Sequence, residues 1–238
     1  MKVIVLTINP YKEKDAVVTA VNENETITFL VKGLKNPRSK NAALNNLLTI
    51  ADIELMDGNF KHPVLKSSKP LFSSLKVDMD AEYLTSLLII DEMMLNLLPE
   101  EDQHLAFSYL ENALENLRKN SDWLMTLLLF MSHIVRLGGF QLEVNKCVMC
   151  GATKNIVAFS FNDGGFICQN CYQPEMGKDL SKDQMLLLRK IVNCRDYRLQ
   201  GADYAREDMM VLLAKFTNYI EETFGYHFKN MRLLINSK

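Results

Sequence analysis

Thr26-Ile27-Thr28-Phe29-Leu30-Val31 alternates, with Ile27, Phe29 and Val31 on one face of an extended chain. That period of two predicts a half-buried strand. Asn22-Glu23-Asn24-Glu25 ahead of it is a turn signal between two β-rich runs. A further strand pattern runs from Leu48 to Met56, and Asp57-Gly58 predicts a turn into a run around Val64-Leu65. Short strands joined by turns, with no helical period, predict a small closed or partly closed β-barrel at the N-terminus.

The strand at Thr26–Val31 runs directly into Lys32-Gly33-Leu34-Lys35-Asn36-Pro37-Arg38-Ser39-Lys40. Gly33, Asn36 and Pro37 make this segment a loop. It holds four cations and no acid, and loop cations can each neutralise a phosphate without preferring a base. Tyr11, Phe29, Phe60 and Phe72 are rings on which bases could stack, although Phe29 shares its face with Ile27 and Val31 and so reads as core. An ordinary solvated loop over core aromatics is the competing reading.

Charge divides the chain. Residues 29–76 hold eight basic and three acidic side chains, whereas residues 81–122 hold nine acidic and two basic ones. The whole chain of 238 residues carries only −2, so any affinity for a polyanion must be local. Its 48% apolar content permits a sizeable core and argues against disorder. The length suits two domains.

From Ala81 the period changes to a helical one. Tyr83 to Leu98 is apolar on almost every side and stops at Pro99, which predicts a buried helix. Leu110, Ala113, Leu114 and Leu117 mark a second helix. A third is expected to start at Ser121 as N-cap and to end at Gly138-Gly139, with Leu124, Leu127, Leu128, Met131 and Val135 facing the core. After an interruption at about 143–175, Ser181-Lys182-Asp183-Gln184 fits a capping box. Met209, Leu212, Leu213, Phe216 and Ile220 then line a last long helix that ends at Gly225. The apolar run from Trp123 to Met131 is far too short to span a bilayer, and the N-terminal run lacks the form of a signal peptide. A cytoplasmic protein without a membrane partner is therefore expected, in a compartment where disulfides are rare.

The interruption carries Cys147-Val148-Met149-Cys150-Gly151, and then Cys168-Gln169-Asn170-Cys171. Two residues between thiolates form a tight knuckle that aims both sulfurs at one ion. Two knuckles supply four soft ligands in a tetrahedron, which suits one Zn²⁺ per chain. Between them lie a strand pattern, Ile156 to Phe161, and a turn, Asn162-Asp163-Gly164-Gly165, which predict a hairpin that carries the second knuckle to the first. Disulfides, a redox pair and free thiols are the competing readings. Four thiolates would leave no open position, so the site reads as structural. Cys194 falls in a later helix and reads as a small buried hydrophobe.

No catalytic motif appears. Neither standard Gly-rich phosphate loop is present. None of His62, His104, His133 and His227 forms the His-x-Glu that zinc deaminases need. His133, on an apolar helix, reads as a packed core residue. No enzyme activity is expected.

The order of these features resembles the RecO family across nearly the whole chain. Tyr11-Lys12-Glu13-Lys14-Asp15 before a β-hairpin is similar to the family's opening. Lys32-Gly33 followed by Ser39-Lys40 resembles its basic loop. Gly138-Gly139-Phe140, the first Cys-x-x-Cys-Gly, Gly164-Gly165 and the second Cys-x-x-Cys resemble its zinc-bearing segment. Gly225-Tyr226-His227-Phe228 resembles its C-terminal signature, although the tail keeps only Lys229 and Arg232 as basic residues.

The resemblance implies an α+β, multidomain chain: an OB-fold β-barrel over 1–79, then an α-helical domain over 80–238 with an embedded four-Cys zinc ribbon at about 143–175. It implies a DNA repair and recombination mediator. Such a protein binds single- and double-stranded DNA, anneals strands, and helps load RecA with RecR on DNA coated by single-stranded DNA-binding protein. Lys32, Lys35, Arg38 and Lys40 are then the main DNA-contact candidates, with Lys229 and Arg232 as weaker ones. Cys147, Cys150, Cys168 and Cys171 are the metal ligands. A zinc-ribbon interaction scaffold and an RNA-binding factor are the alternatives.

Overall fold

The structure, a computed structural model, describes residues 1–36, 38–56, 62–75, 79–119, 122–176, 179–197, 199 and 203–235. The expected Asp57-Gly58 turn, the Phe60 ring, Pro37 and the Ser121 cap lie outside them. The chain forms two compact units, Met1–Lys119 and Asn120–Lys238.

Five strands open the first unit: β1 Lys2–Tyr11, β2 Asp15–Val21, β3 Thr26–Val31, β4 Ile50–Leu55 and β5 Leu65–Phe72. They form one antiparallel sheet in the order β3-β2-β1-β4-β5. The Asn22 turn joins β2 to β3, its side-chain oxygen accepting from the N–H groups of Asn24 (2.7 Å) and Glu25 (3.0 Å). Ladders leave β3 and β5 as the two edges. A parallel bridge, Leu30 to Val64, links them, with the Leu30 N–H donating to Pro63 O at 2.8 Å. The ring therefore runs 1-2-3-5-4, a partly open five-stranded barrel of the OB type. Its interior holds Val3, Val5, Val18, Phe29, Val31 and Ile53.

Val3, Ile4, Val5 and Leu6 are all fully buried, so β1 is covered on both faces. Two helices of the same unit account for the second face: α1 Ala81–Asn96 and α2 Phe107–Arg118, joined by a 3₁₀ helix at Glu100–Ala106. Asp80 caps α1, its carboxylate accepting from Tyr83 N–H at 2.7 Å, and Tyr83 Oη donates to Ser74 O at 2.7 Å. Lys2 pairs with Glu111, and Thr26 Oγ1 donates to Gln103 Oε1 at 3.1 Å. Residue 80 marks the change from strands to helices, but these contacts carry the compact unit on to Lys119.

The second unit comprises α3 Trp123–Leu137, a small sheet of β6 Glu143–Cys147, β7 Ile156–Ser160 and β8 Gly165–Cys168, and then α4 Lys182–Asn193, α5 Arg206–Phe224 and α6 Met231–Ile235. The cap of α3 is Asp122, one residue after the expected Ser121; its Oδ1 accepts from Leu124 N–H at 2.9 Å. Every residue from Leu124 to Val135 is buried, because α3 packs against both α4 and α5. Gly138 ends α3 where a Cβ would lie 2.7 Å from the Phe224 ring. The Ser181–Gln184 capping box forms at the start of α4, and Gly225 closes α5 at φ 66°. Cys194 corrects its expectation: it is the C-cap of α4, half-buried, and not a packed hydrophobe inside the helix. Among the described residues no helix is long and apolar enough to cross a membrane.

Candidate metal centre and basic loop

The three short strands of the second unit stand in the order β6-β8-β7. β7 and β8 form the hairpin, with Phe159 opposite Phe166 and Ile156 opposite Cys168. β6 runs parallel to β8 and sets Cys147 beside Phe166. The end of β6 and the end of β8 are thereby brought together, each just where a Cys-x-x-Cys begins. Gly151 N–H donates to Cys147 O at 2.8 Å, and Cys147 N–H to Ala152 O at 2.7 Å, which folds the first knuckle back on itself. Gly151 needs φ 76° to do so, a region that glycine enters without steric cost. In the second knuckle Cys171 N–H and Tyr172 N–H both donate to Cys168 O, at 3.0 and 2.9 Å.

The sulfurs of Cys147, Cys150, Cys168 and Cys171 all lie within 4.8 Å of one another. Cys150 and Cys168 Sγ are 3.6 Å apart. A tetrahedral ion with metal–sulfur bonds of ~2.3 Å has sulfur–sulfur edges of ~3.8 Å, so the cluster can hold one ion. Burial pushes the Cys147 thiol up, but backbone N–H groups of Cys168, Cys150 and Met149 outweigh it and bring the thiol down to about 6. Cys171 is pushed up to about 12, first by its contact with Cys150, then by burial and the other sulfurs. Cys147 is thus favoured as a thiolate and Cys171 is not, and a bound cation would favour the thiolate form of the sulfurs that hold it.

The ribbon is tied to the helices of its own unit. Phe161 N–H donates to Asp179 Oδ2 at 2.9 Å, and Lys215 on α5 pairs with Asp179 at 3.7 Å. Phe159 meets Phe161 and Phe166 edge to face, and Phe161 reaches Phe216 and Tyr219 on α5. Asn145 on β6 and Asn193 at the end of α4 exchange side-chain hydrogen bonds at 3.1 Å. The ties to Asp179, α4 and α5 carry no sequence signal, since each joins residues distant in the chain.

The basic loop leaves β3 in the first unit. Hydrogen bonds and one core side chain anchor the described parts of its backbone. Leu34 is buried in the barrel core. Gly33 N–H donates to Asp15 Oδ1 at 2.8 Å, and Lys35 N–H to Lys14 O at 3.1 Å. Asn36 accepts from Arg38 N–H through its side chain (3.0 Å) and from Ser39 N–H through its carbonyl (2.9 Å). Asn41 Oδ1 accepts from Ser68 Oγ of β5 at 2.9 Å. Lys32, Lys35, Arg38 and Lys40 are all exposed, and none is paired with a carboxylate among the described residues.

The rings are less available than the sequence suggests. Phe29 is fully buried, and Phe72 is buried beneath the Arg118 guanidinium at 5.0 Å. Tyr11 alone of the three described rings is exposed, with Lys12 Nζ 5.4 Å from its centre. Lys229 and Arg232 are exposed in the second unit, after α5 and in α6. His133 is wholly buried; its pKa is pulled down to about 4 by burial and then by Arg195, as befits a core histidine.

The sequence profile described as "Recombination protein O C terminal" matches residues 79–230, more than half of the chain. "DNA repair protein RecO" of Bacillus subtilis (strain 168) is 24% identical over 235 residues, covering 97% of this chain and 91% of that protein. The proteins of the same name from Halalkalibacterium halodurans and Bacillus mycoides are each 23% identical, over 97% of this chain and 92% and 94% of theirs. A barrel-first chain with a four-cysteine ribbon set among helices, matched along almost its whole length, belongs to the RecO family.

Proposed function

We propose that the chain is a non-enzymatic DNA-repair mediator that binds single- and double-stranded DNA through phosphates and promotes annealing. In this reading it helps load RecA, together with RecR, on DNA coated by single-stranded DNA-binding protein, and it works in the cytoplasm at the nucleoid. The carrying observation is the loop of four exposed cations, unpaired among the described residues, on a backbone pinned by Asp15 and Leu34. Cations held this way meet phosphates without first breaking ion pairs, and they leave base edges free to pair. Neutralising two strands on one surface lowers the repulsion that slows their annealing. Among the described candidate rings, Tyr11 is best placed to add stacking.

The ion in this reading is Zn²⁺, held by Cys147, Cys150, Cys168 and Cys171. Four thiolates complete its coordination and leave no place for water or substrate. It carries net negative charge and so repels phosphate; its work is to fix β6 and β8 against each other.

A strand-annealing assay with complementary oligonucleotides, naked and coated, tests the reading. The expected result is faster annealing than the spontaneous rate, losing most of its gain when Lys32, Lys35, Arg38 and Lys40 are all replaced by Ala. Annealing at the spontaneous rate by metal-replete, folded protein contradicts it.

A further inference from the structure

Helix α1 presents an apolar stripe to solvent. Leu84, Leu88 and Leu95 are 39%, 45% and 36% exposed. With Asp91 they follow a spacing of four, three and four residues, the seam of a helix that packs along another helix. Asp91 breaks the seam chemically. It is only 8% exposed, and its Oδ1 is buried with no hydrogen-bond partner among the described residues. The same carboxyl lines a cavity of about 230 Å³ in the first unit, whose other walls include Leu47, Leu75, Leu87 and Leu88. Leu47 and Leu75 are also exposed and widen the apolar surface around the mouth.

A buried carboxylate oxygen with no donor is costly, and surfaces that keep one commonly complete it with a partner. Burial and then the neighbouring Glu92 push the Asp91 carboxyl up to about 7. A single polar position in an otherwise leucine seam is also how helix pairs fix register and partner. Acidic charge at the centre excludes acidic partners and selects a basic one.

We infer that this face docks an amphipathic helix of another protein, whose apolar side chains cover Leu84, Leu88 and Leu95 and whose single seam lysine or arginine enters the cavity to pair with Asp91. The mode is a helix laid in an apolar groove, with the cation fixing its register.

The test uses the full chain and a labelled synthetic helix on the order of three heptads long, with a leucine seam, Gln and Ala elsewhere, and one central seam Lys. Companion helices carry Gln or Glu at that position. Fluorescence anisotropy is expected to rank them Lys, Gln, Glu, with about tenfold between Lys and Gln. Asp91→Asn, which keeps the side-chain shape, is expected to abolish the ranking. Leu88→Glu, at an exposed site, is expected to abolish binding of all three. Equal affinity for the three helices, a ranking that survives Asp91→Asn, or no binding of any of them overturns the inference. So does sedimentation of the wild-type chain as a dimer that Leu88→Glu dissociates, since a second copy would then be the occupant.

Discussion

The Asp15 carboxylate holds the backbone N–H of Gly33 at 2.8 Å, across the joint between β2 and the loop that follows β3. Gly33 sits at φ 65°, so the chain can turn there and still present its N–H to the acid. A negative side chain thus organises the most basic segment of the barrel while the loop cations stay unpaired among the described residues.

Asp15→Ala should therefore weaken DNA binding by a few-fold without removing any cation. Loss of one charge-assisted hydrogen bond at a half-buried site costs roughly 1–2 kcal/mol of loop order. Hydrogen exchange at Gly33 and Lys35 should quicken, while that of the β1 amides stays as in the parent. A tighter complex in Asp15→Ala, explained by removal of a repelling charge, would show that the anchor is unimportant.

Removing the ion should act on one unit. Cys147→Ser or Cys168→Ser should lose bound metal, measured as about one zinc per parent chain by elemental analysis, and should raise exchange through residues 143–172. Such metal sites contribute directly to folding. The barrel strands should keep their protection. A Cys→Ser chain that binds no metal yet exchanges like the parent over 143–172 argues against a structural role.

His133 and Asp91 should give the two units opposite acid responses. His133 is depressed to about 4 from an ordinary 6.5, so the unfolded chain binds the proton first. Stability of the second unit then falls as pH drops from about 6.5 to 4, by up to ~3 kcal/mol. Asp91 is raised to about 7 from 3.8, so here the native state binds the proton first. Stability of the first unit falls as pH rises from about 4 to 7, by up to ~4 kcal/mol. Asp91→Asn should flatten the second trend and His133→Gln the first. Residue-resolved exchange at pH 4.5, 5.5 and 7 separates them, and parallel trends in the two units would refute the assignment.

Local pattern explains what could be read from the chain, and distance explains what could not. The alternation of Ile27, Phe29 and Val31 specifies β3 because a barrel strand has one inner face. Each Cys-x-x-Cys is legible because its geometry closes within a few residues. β1 gives no alternation, since Val3 to Leu6 are buried on both sides. The Leu30–Val64 bridge that links the sheet edges joins residues far apart in sequence and has no motif. Ser121 and Asp122 are both competent caps, and only the structure chooses between them. Asp91 reads as one polar residue in a leucine-rich helix, because its burial without a hydrogen-bond partner for Oδ1 among the described residues is a property of space. Phe72 looked available for stacking, and Arg118 covers it.

The most direct measurement is the salt dependence of single-stranded DNA affinity for the parent chain and for the chain with Lys32, Lys35, Arg38 and Lys40 changed to Ala. If these side chains displace counterions from phosphates, the slope of log K against log salt should become shallower by up to about 3 in the variant, at ~0.7 per contact. Binding should weaken alike for all base compositions. An undiminished slope in a folded, metal-loaded variant would place the DNA elsewhere.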